Sequence, residues 1–180
     1  MANVLRRELK QTKPFGSAQA EAYLNVLRTA EYLSRELEKC LKPFGLTGTQ
    51  YNVLRILRGA GAEGLACGEI AERMITHVPD VTRLLDRLER KGWLARGRDT
   101  GDRRVVVTRI TPRGRALADR LDAPVLARHA SLLAHLKARQ LKDLIRVLEK
   151  IRAGAERSSA INEQQRWKKR PVRDSSRSLP

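Results

Sequence analysis

The 180-residue sequence has few aromatic residues, few cysteines and no long apolar run. Aromatic residues make up only 4% of the chain, so a core must be built mainly from aliphatic side chains. No run of about 18 apolar residues is present, which excludes a transmembrane helix, and residues 1–16 lack the apolar region of a secretory signal. Cys40 and Cys67 are too few for a disulfide framework, so we expect a reducing, cytoplasmic compartment.

Motifs of catalysis and of metal binding are also missing from the sequence. We find no phosphate-binding loop, no nucleophile elbow and no defensible pair of catalytic carboxylates, so we expect no enzymatic activity. The histidines His77, His129 and His135 have no ligand partners at metal-binding spacing. We therefore predict neither a metal nor another cofactor.

Positive charge, by contrast, is abundant. The chain carries 37 Lys and Arg against 20 Asp and Glu, which gives a formal net charge of +17 at pH 7. Such an excess favours either nucleic acid or an anionic membrane surface as partner, and a merely basic, solvated surface is the simpler alternative. Because the charge accompanies a helical pattern, we expect double-stranded DNA as the partner and no membrane.

Two segments precede the most informative part of the chain. Residues 1–16 are expected to form a flexible or loosely docked arm. Apolar residues then recur at helical spacing within residues 17–45, where a proline and a glycine end the helix. A further helix is predicted to begin at Thr47, because Thr47 and Gln50 have the spacing of a capping box.

The middle of the chain predicts a helix-turn-helix followed by a β-hairpin. After Gly92 the pattern changes from helical to extended, with β-branched residues in the second extended run. The predicted elements are a strand at Leu65–Ala66, a helix at Glu69–Met74, a turn at Ile75–Val78, a helix at Pro79–Lys91, and strands at Trp93–Arg98 and Arg104–Ile110 around a turn at Asp99–Asp102. We therefore predict a mainly α fold with a small β-hairpin wing, a winged helix-turn-helix with helical extensions.

The second helix of the predicted pair is expected to enter the major groove, with its N-terminal residues near the base edges. The candidate contacts there are Thr76, His77, Pro79, Asp80, Thr82, Arg83 and Arg87. An arginine can donate to both acceptors of guanine, and a carboxylate can accept from the amino group of cytosine. The alternative is a solvated helix face on which Asp86 or Glu89 pairs with the arginines.

The predicted hairpin is strongly basic for its length, and Arg96 and Arg109 add to its charge. Arginines at its tip suit a narrow minor groove, where the negative potential is enhanced, and Asp102 would orient one of them. The candidate contacts on the hairpin are Arg98, Asp102, Arg103 and Arg104. The alternative is an exposed basic hairpin without fixed contacts.

Taken together, these segments resemble the MarR family of bacterial regulators. The resemblance rests on Leu46-Thr47 with Gln50-Tyr51 and Val53-Leu54, on Glu69-Ile70-Ala71, on Val81 to Gly92, on Asp102-Arg103-Arg104 and on Thr111-Pro112-Arg113-Gly114. It covers roughly Ala22 to Ile151, and its motifs are specific in combination. It implies homodimers in which residues 17–45 and 112–156 form a helical dimerisation region beside a DNA-binding domain at residues 46–111.

The resemblance also implies a function. Proteins of this family bind pseudo-palindromic operators, usually repress transcription, and are often released by small aromatic or phenolic ligands. Asp102 and Arg104 match the family's Asp-x-Arg motif, which makes Arg104 the implied minor-groove residue. The leading hypothesis is therefore a homodimeric transcriptional repressor. The alternatives are an architectural DNA-binding protein with little sequence preference and an interaction module whose basic tail binds an acidic protein.

The sequence departs from the family pattern at several places. Cys67 follows the first strand where the family often has Ser or Thr, and Val78 stands before the proline of the recognition helix where Ser or Thr is again common. An acid at Asp80 would repel phosphate, so this residue either reads a base or caps the helix. Residues 157–180 are polar and basic without an apolar period, and we expect a disordered tail there.

Overall fold

A computed structural model describes residues 4–98 and 104–168 of the chain. The helices are α1 (Val4–Glu8), α2 (Ala18–Leu41), α3 (Gly48–Ala60), α4 (Cys67–Arg73), α5 (Val81–Arg90), α6 (Pro112–Leu133) and α7 (Ala138–Lys168), and the strands are β1 (Leu65–Ala66), β2 (Leu94–Arg98) and β3 (Val106–Ile110). The chain divides into two units between Leu132 and Leu133, at the end of α6. The predicted fold class, mainly α with a small antiparallel sheet, is confirmed.

The start of α3 forms as the sequence predicts. The Thr47 hydroxyl accepts a hydrogen bond from the Gln50 amide at 3.2 Å, and the Gln50 side chain accepts one from the Thr47 amide at 3.2 Å. The residues on either side of this capping box, Leu46 and Tyr51, are both buried, as in a hydrophobic staple. The cap and the staple together fix the angle at which the chain enters the winged helix-turn-helix.

The three strands pair antiparallel in the order β1-β3-β2. Thr108 in the middle of β3 stands opposite Leu65 of β1 on one side and Arg96 of β2 on the other. The β2–β3 hairpin is the predicted wing, and β1 ties the base of the wing to the loop between α3 and α4. This arrangement holds the wing beside α5.

The core of the first unit is aliphatic, as the shortage of aromatic residues requires. The largest fully buried hydrophobic side chains are Leu41, Leu54, Leu57, Ile70, Leu85, Leu88, Leu94, Leu121 and Val53. The helix α5 buries Val81, Leu84, Leu85 and Leu88. Because each buried leucine contributes about 2 kcal/mol of transfer free energy, this side anchors α5 and leaves its other side facing solvent.

Two helices differ from the expectations for the chain ends. Within residues 1–16, where a flexible or loosely docked arm is expected, a short helix is present: α1 buries Leu5, and its Glu8 lies 3.5 Å from Arg28 of α2. Five residues are too few to show a helical period, so the pattern could not predict this element. The helix α7 continues to Lys168, beyond residue 156 where the disordered tail is expected to begin, because residues with good helix propensity need no apolar period. Residues 169–180 lie outside the described part of the chain.

Candidate nucleic-acid interface

The helices α4 and α5 form the predicted helix-turn-helix and are joined by an exposed turn. Asn52 of α3 accepts a hydrogen bond from the Ile75 amide at 2.9 Å, which holds the beginning of the turn against the body of the domain. The candidate residues Thr76, His77 and Pro79 follow, and all three are exposed. These three residues therefore lie in the exposed turn that leads into the N-terminus of α5.

Asp80 is the N-cap of α5. Its Oδ1 accepts a hydrogen bond from the Arg83 amide at 2.9 Å, and its Oδ2 lies 2.9 Å from Arg83 Nε. The carboxylate thus satisfies an amide of the first turn and lies at the positive end of the helix. Of the two interpretations of this acid, the cap is the one present in the structure. The helix begins at Val81 rather than at Pro79 because the cap is residue 80.

The solvent-facing side of α5 is polar and basic. Thr82, Arg83 and Arg87 are exposed on it, and the Arg83 side chain remains 79% exposed despite its ion pair with Asp80. Among the described residues, the Arg87 side chain has neither a hydrogen bond nor an ion pair. A guanidinium in this state keeps its full set of donors available for bases or phosphates.

The acids of α5 pair with the wing. Arg96 Nε and Nη2 donate to Glu89 Oε2 at 2.8 and 2.5 Å, and Nη2 donates to Asp86 Oδ1 at 2.5 Å. The hydrogen bonds between Arg96 and Glu89 are the main reason why the pKa of Glu89 is lowered and the pKa of Arg96 is raised. Asp86 and Glu89 are therefore paired with the wing rather than with Arg83 or Arg87.

The wing carries the remaining candidate contacts. Arg98 and Val106 form the ladder pair nearest the tip, and Arg104 lies beyond that pair. Both arginines are exposed. Asp102 and Arg103 lie outside the described residues, so their DNA contacts stay predictions.

Two contacts that position the wing could not be read from the sequence. Arg96 and Arg109 entered the sequence prediction only through their charge. Arg96 instead binds α5, and Arg109 Nε donates to the Ala62 carbonyl oxygen at 3.0 Å at the base of the hairpin. The short connection at Gly92 indicates only that β2 lies beside α5, and it does not show which arginine of the strand pairs with the acids of the helix.

The cysteines are free thiols, each partly buried. Cys67 lies at the start of α4, with its Sγ 3.9 Å from Thr82 Oγ1. No group of three or more His, Cys, Asp or Glu side chains within the described residues is placed to hold a metal ion. A search of the same residues finds no helix with the length and apolar character needed to cross a membrane.

Comparisons with known proteins agree with this geometry. Residues 46–106 match the sequence profile of the MarR family. The HTH-type transcriptional repressor Rv2887 of Mycobacterium tuberculosis is 35% identical over 124 residues, which cover 69% of this chain and 88% of the relative. A mutant MarR from E. coli, solved with operator DNA, has a TM-score of 0.64 at 28% identity and covers 70% of this chain and 89% of its own. CouR from Rhodococcus jostii RHA1, bound to p-coumaroyl-CoA, has a TM-score of 0.65 at 26% identity. The match covers 76% of this chain and 95% of the CouR chain.

The region matched by the family profile runs from the residue before the α3 cap to the first residue of β3. It contains the complete helix-turn-helix, the strand β2 and the segment that joins β2 to β3. The relative with 35% identity is matched over most of its length, well beyond the DNA-binding domain. The chain therefore belongs to the MarR family of DNA-binding transcriptional regulators.

Proposed function

We propose that this chain is a sequence-specific repressor that binds a pseudo-palindromic operator as a homodimer and is released by a small aromatic or phenolic ligand. The observation that carries the proposal is α5, whose apolar side is buried while Thr82, Arg83 and Arg87 face solvent. A helix anchored in this way presents a row of donors that fits the major groove. A relative named as a repressor and a similar structure solved with operator DNA support the same function.

In the proposed complex, α5 and the wing contact different grooves of the DNA. Arg83 and Arg87 of α5 contact base edges or phosphates in the major groove, and the turn residues Thr76 and His77 lie beside them. The wing enters the adjacent minor groove with Arg104 and Arg98. Arginine suits that groove because its narrow walls strengthen the negative potential. The predicted wing residues Asp102 and Arg103 complete this part of the proposal.

Exposed apolar side chains support the homodimer. On α2, Tyr23, Leu27 and Tyr32 are 64%, 50% and 49% exposed. In the second unit, Ile145 and Ile151 of α7 are 55% and 54% exposed. Large apolar side chains left exposed along a helix in this way are typical of an interface between proteins. A second copy of the chain is the proposed occupant, and the two copies would place their α5 helices on half-sites about one turn of DNA apart.

A cleft between α2 and α6 is the proposed site for the effector. The cleft has a volume of about 390 Å³ and is lined by Lys39, Cys40, Pro124, Ala127, Arg128 and Ser131. That volume falls within the range of small-molecule sites. Lys39 and Arg128 beside the apolar wall both pair with Glu36, and a small aromatic carboxylate would share these two cations with it. CouR, which was solved with an aromatic acyl-CoA, shows that a protein of similar fold binds a ligand of related chemistry.

Selection of bound DNA from a random pool tests the proposed function directly. The expected result is an inverted repeat whose half-sites are about one turn apart, protected in a footprint at physiological salt. Addition of a panel of phenolic carboxylates to the bound complex then identifies a ligand that releases it. Binding without any protected inverted repeat would contradict the proposed repressor.

A second candidate function is architectural DNA binding with little sequence preference. The net charge of +17 favours it, since counterion release contributes binding to any duplex irrespective of its sequence. Charge reversal at Arg166, Lys168, Lys169 and Arg170 separates the two functions. If the tail carries architectural binding, these changes weaken binding to all sequences alike and flatten the salt dependence. If the operator complex depends on α5 and the wing, the preference for the selected site is retained.

A further inference from the structure

The strand residue Arg96 joins the wing to α5 through four hydrogen bonds. We propose that Arg96 is a positioning residue that holds the wing at a fixed place relative to α5, so that both elements engage one half-site of the DNA together. This inference rests on the proposed function, because it concerns how the two DNA-binding elements cooperate.

The contacts of Arg96 fix both the distance and the rotation of α5. Its amide donates to Glu89 Oε1 at 3.0 Å while its side chain binds Glu89 Oε2, so one residue holds both oxygens of that carboxylate. The same guanidinium reaches Asp86, three residues earlier on the helix. Residues three apart share one face of a helix, so these contacts allow α5 one orientation against the wing.

The position of Arg96 along β2 explains why the contact affects the tip. Leu94, Arg96 and Arg98 lie on the same face of the strand, because side chains alternate between faces. Leu94 is buried in the core and Arg98 is exposed. Arg96 therefore continues the contact between wing and helix from the edge of the apolar core toward the tip.

The environment of this cluster strengthens the ion pairs. The side chains of Arg96, Asp86 and Glu89 are 27%, 41% and 35% exposed, so each is partly shielded from water. Ion pairs with forked, charge-assisted hydrogen bonds in such a setting are stronger than those between fully exposed groups. Only a guanidinium offers the planar fork that binds both acids at once, whereas lysine supplies a point charge.

Because Arg96 also offsets part of the negative charge of two acids on α5, its removal changes charge as well as position. Two variants separate these effects. Arg96→Lys keeps the charge and loses the forked geometry. The triple variant Arg96→Met, Asp86→Asn and Glu89→Gln removes the arginine and both acids together. If only charge matters, Arg96→Lys keeps the full contribution of the wing, and the triple variant, which makes the cluster less negative by one charge, does not lessen it. If Arg96 positions the wing, both variants lose it.

The contribution of the wing is measured as the affinity lost through Arg104→Ala in each background. The full-length proteins are titrated with DNA that the wild-type protein selects from a random pool. We expect a loss of about tenfold in the wild-type background and less than about twofold in the Arg96→Lys and triple backgrounds. Hydroxyl-radical cleavage is expected to show weaker minor-groove protection in both variants, while guanine N7 protection from dimethyl sulfate persists in the major groove.

An equal loss through Arg104→Ala in all backgrounds would overturn the positioning role. A wild-type protein that protects no symmetric site is a different result, since it contradicts the proposed function and the inference with it. Thermal unfolding of each variant controls for misfolding. If the triple variant does not fold, the loss of affinity through Arg104→Ala in the Arg96→Lys background alone tests the positioning role, because Arg96→Lys is conservative in size and charge.

Discussion

The backbone carbonyl oxygen of Trp93 lies 1.9 Å from the position that a Cβ atom would occupy on Gly114. This approach brings the first turn of α6 against the residue that enters β2. The Thr111 hydroxyl completes the junction, because it donates to the Gly92 carbonyl oxygen at 2.8 Å and accepts from the Gly114 amide at 3.0 Å. Only glycine fits at the point where the chain leaves the wing and begins α6.

Gly114→Ala is therefore expected to destabilise the protein. The added methyl group meets backbone rather than a flexible side chain, so α6 or the wing must shift, at a cost of about 2 to 3 kcal/mol. Urea unfolding followed by circular dichroism measures the change. The matched control is Gly59→Ala inside α3, where a Cβ meets nothing within 4 Å. That substitution is expected to stabilise the helix by about 0.5 to 1 kcal/mol, and equal effects of the two would refute the junction.

Arg104→Ala is expected to weaken binding to the selected DNA about tenfold, or about 1.4 kcal/mol, and to leave the oligomeric state unchanged. The reason is the loss of the proposed minor-groove contact at the tip of the wing. Gel shift gives the affinity and size-exclusion chromatography gives the assembly. As a control, Arg139→Ala at the start of α7 removes the same charge from an exposed position outside residues 46–111. Unchanged affinity in Arg104→Ala would show that the wing assignment is wrong.

Substitution of Asp80 distinguishes its role as a cap from a role in reading bases. Asn caps helices as well as Asp does, so Asp80→Asn is expected to change stability by less than about 0.5 kcal/mol, whereas Asp80→Ala costs about 1 kcal/mol. Unfolding in urea checks both values. Selection of DNA by Asp80→Asn is expected to give the wild-type half-site. A change from cytosine to adenine at one position would instead indicate that this residue reads a base.

Glu36 of α2 is a buried acid whose charge is held by two cations. Lys39 donates to its carboxylate at 2.6 Å, and Arg128 of α6 donates to the other oxygen. The hydrogen bond from Lys39 is the largest cause of the lowered pKa of Glu36, and Arg128 acts in the same direction. A carboxyl whose pKa is lower in the folded than in the unfolded protein stabilises the fold above its unfolded pKa, and this stabilisation disappears as the pH falls through the folded pKa.

Glu36→Gln is accordingly expected to lower the unfolding temperature at neutral pH and to reduce its further fall below about pH 4.5. Glutamine has nearly the same shape and no proton to gain, so the variant lacks this source of acid sensitivity. Calorimetry from neutral pH down to about pH 3 measures the effect. Glu63→Gln is the control, since Glu63 is exposed and has no ion pair among the described residues. The idea fails if both variants retain the acid sensitivity of the wild type.

The elements of the candidate nucleic-acid interface were largely predictable because neighbouring residues encode them. The capping box of Thr47 and Gln50, the apolar period of α5 and the change to an extended pattern after Gly92 all arise from interactions within a few residues. The candidate contacts on α5 followed from the same pattern, because the residues that are not apolar must face away from the core. The family resemblance added the expected dimerisation region and the expected minor-groove role of Arg104.

The charged pairings between elements were not predictable in this way. Arginines are frequent in this chain, and nothing along the sequence distinguishes Arg96, which binds α5, from Arg98, which faces solvent. Likewise, no local signal shows that Glu36 is buried beside Arg128, 92 residues later in the chain. Local periodicity therefore determines which segments are helix or strand and which faces are apolar. The choice of ionic partner follows from packing, because an ion pair depends on distance and on exclusion of water, and both exist only after the helices and the wing have come together.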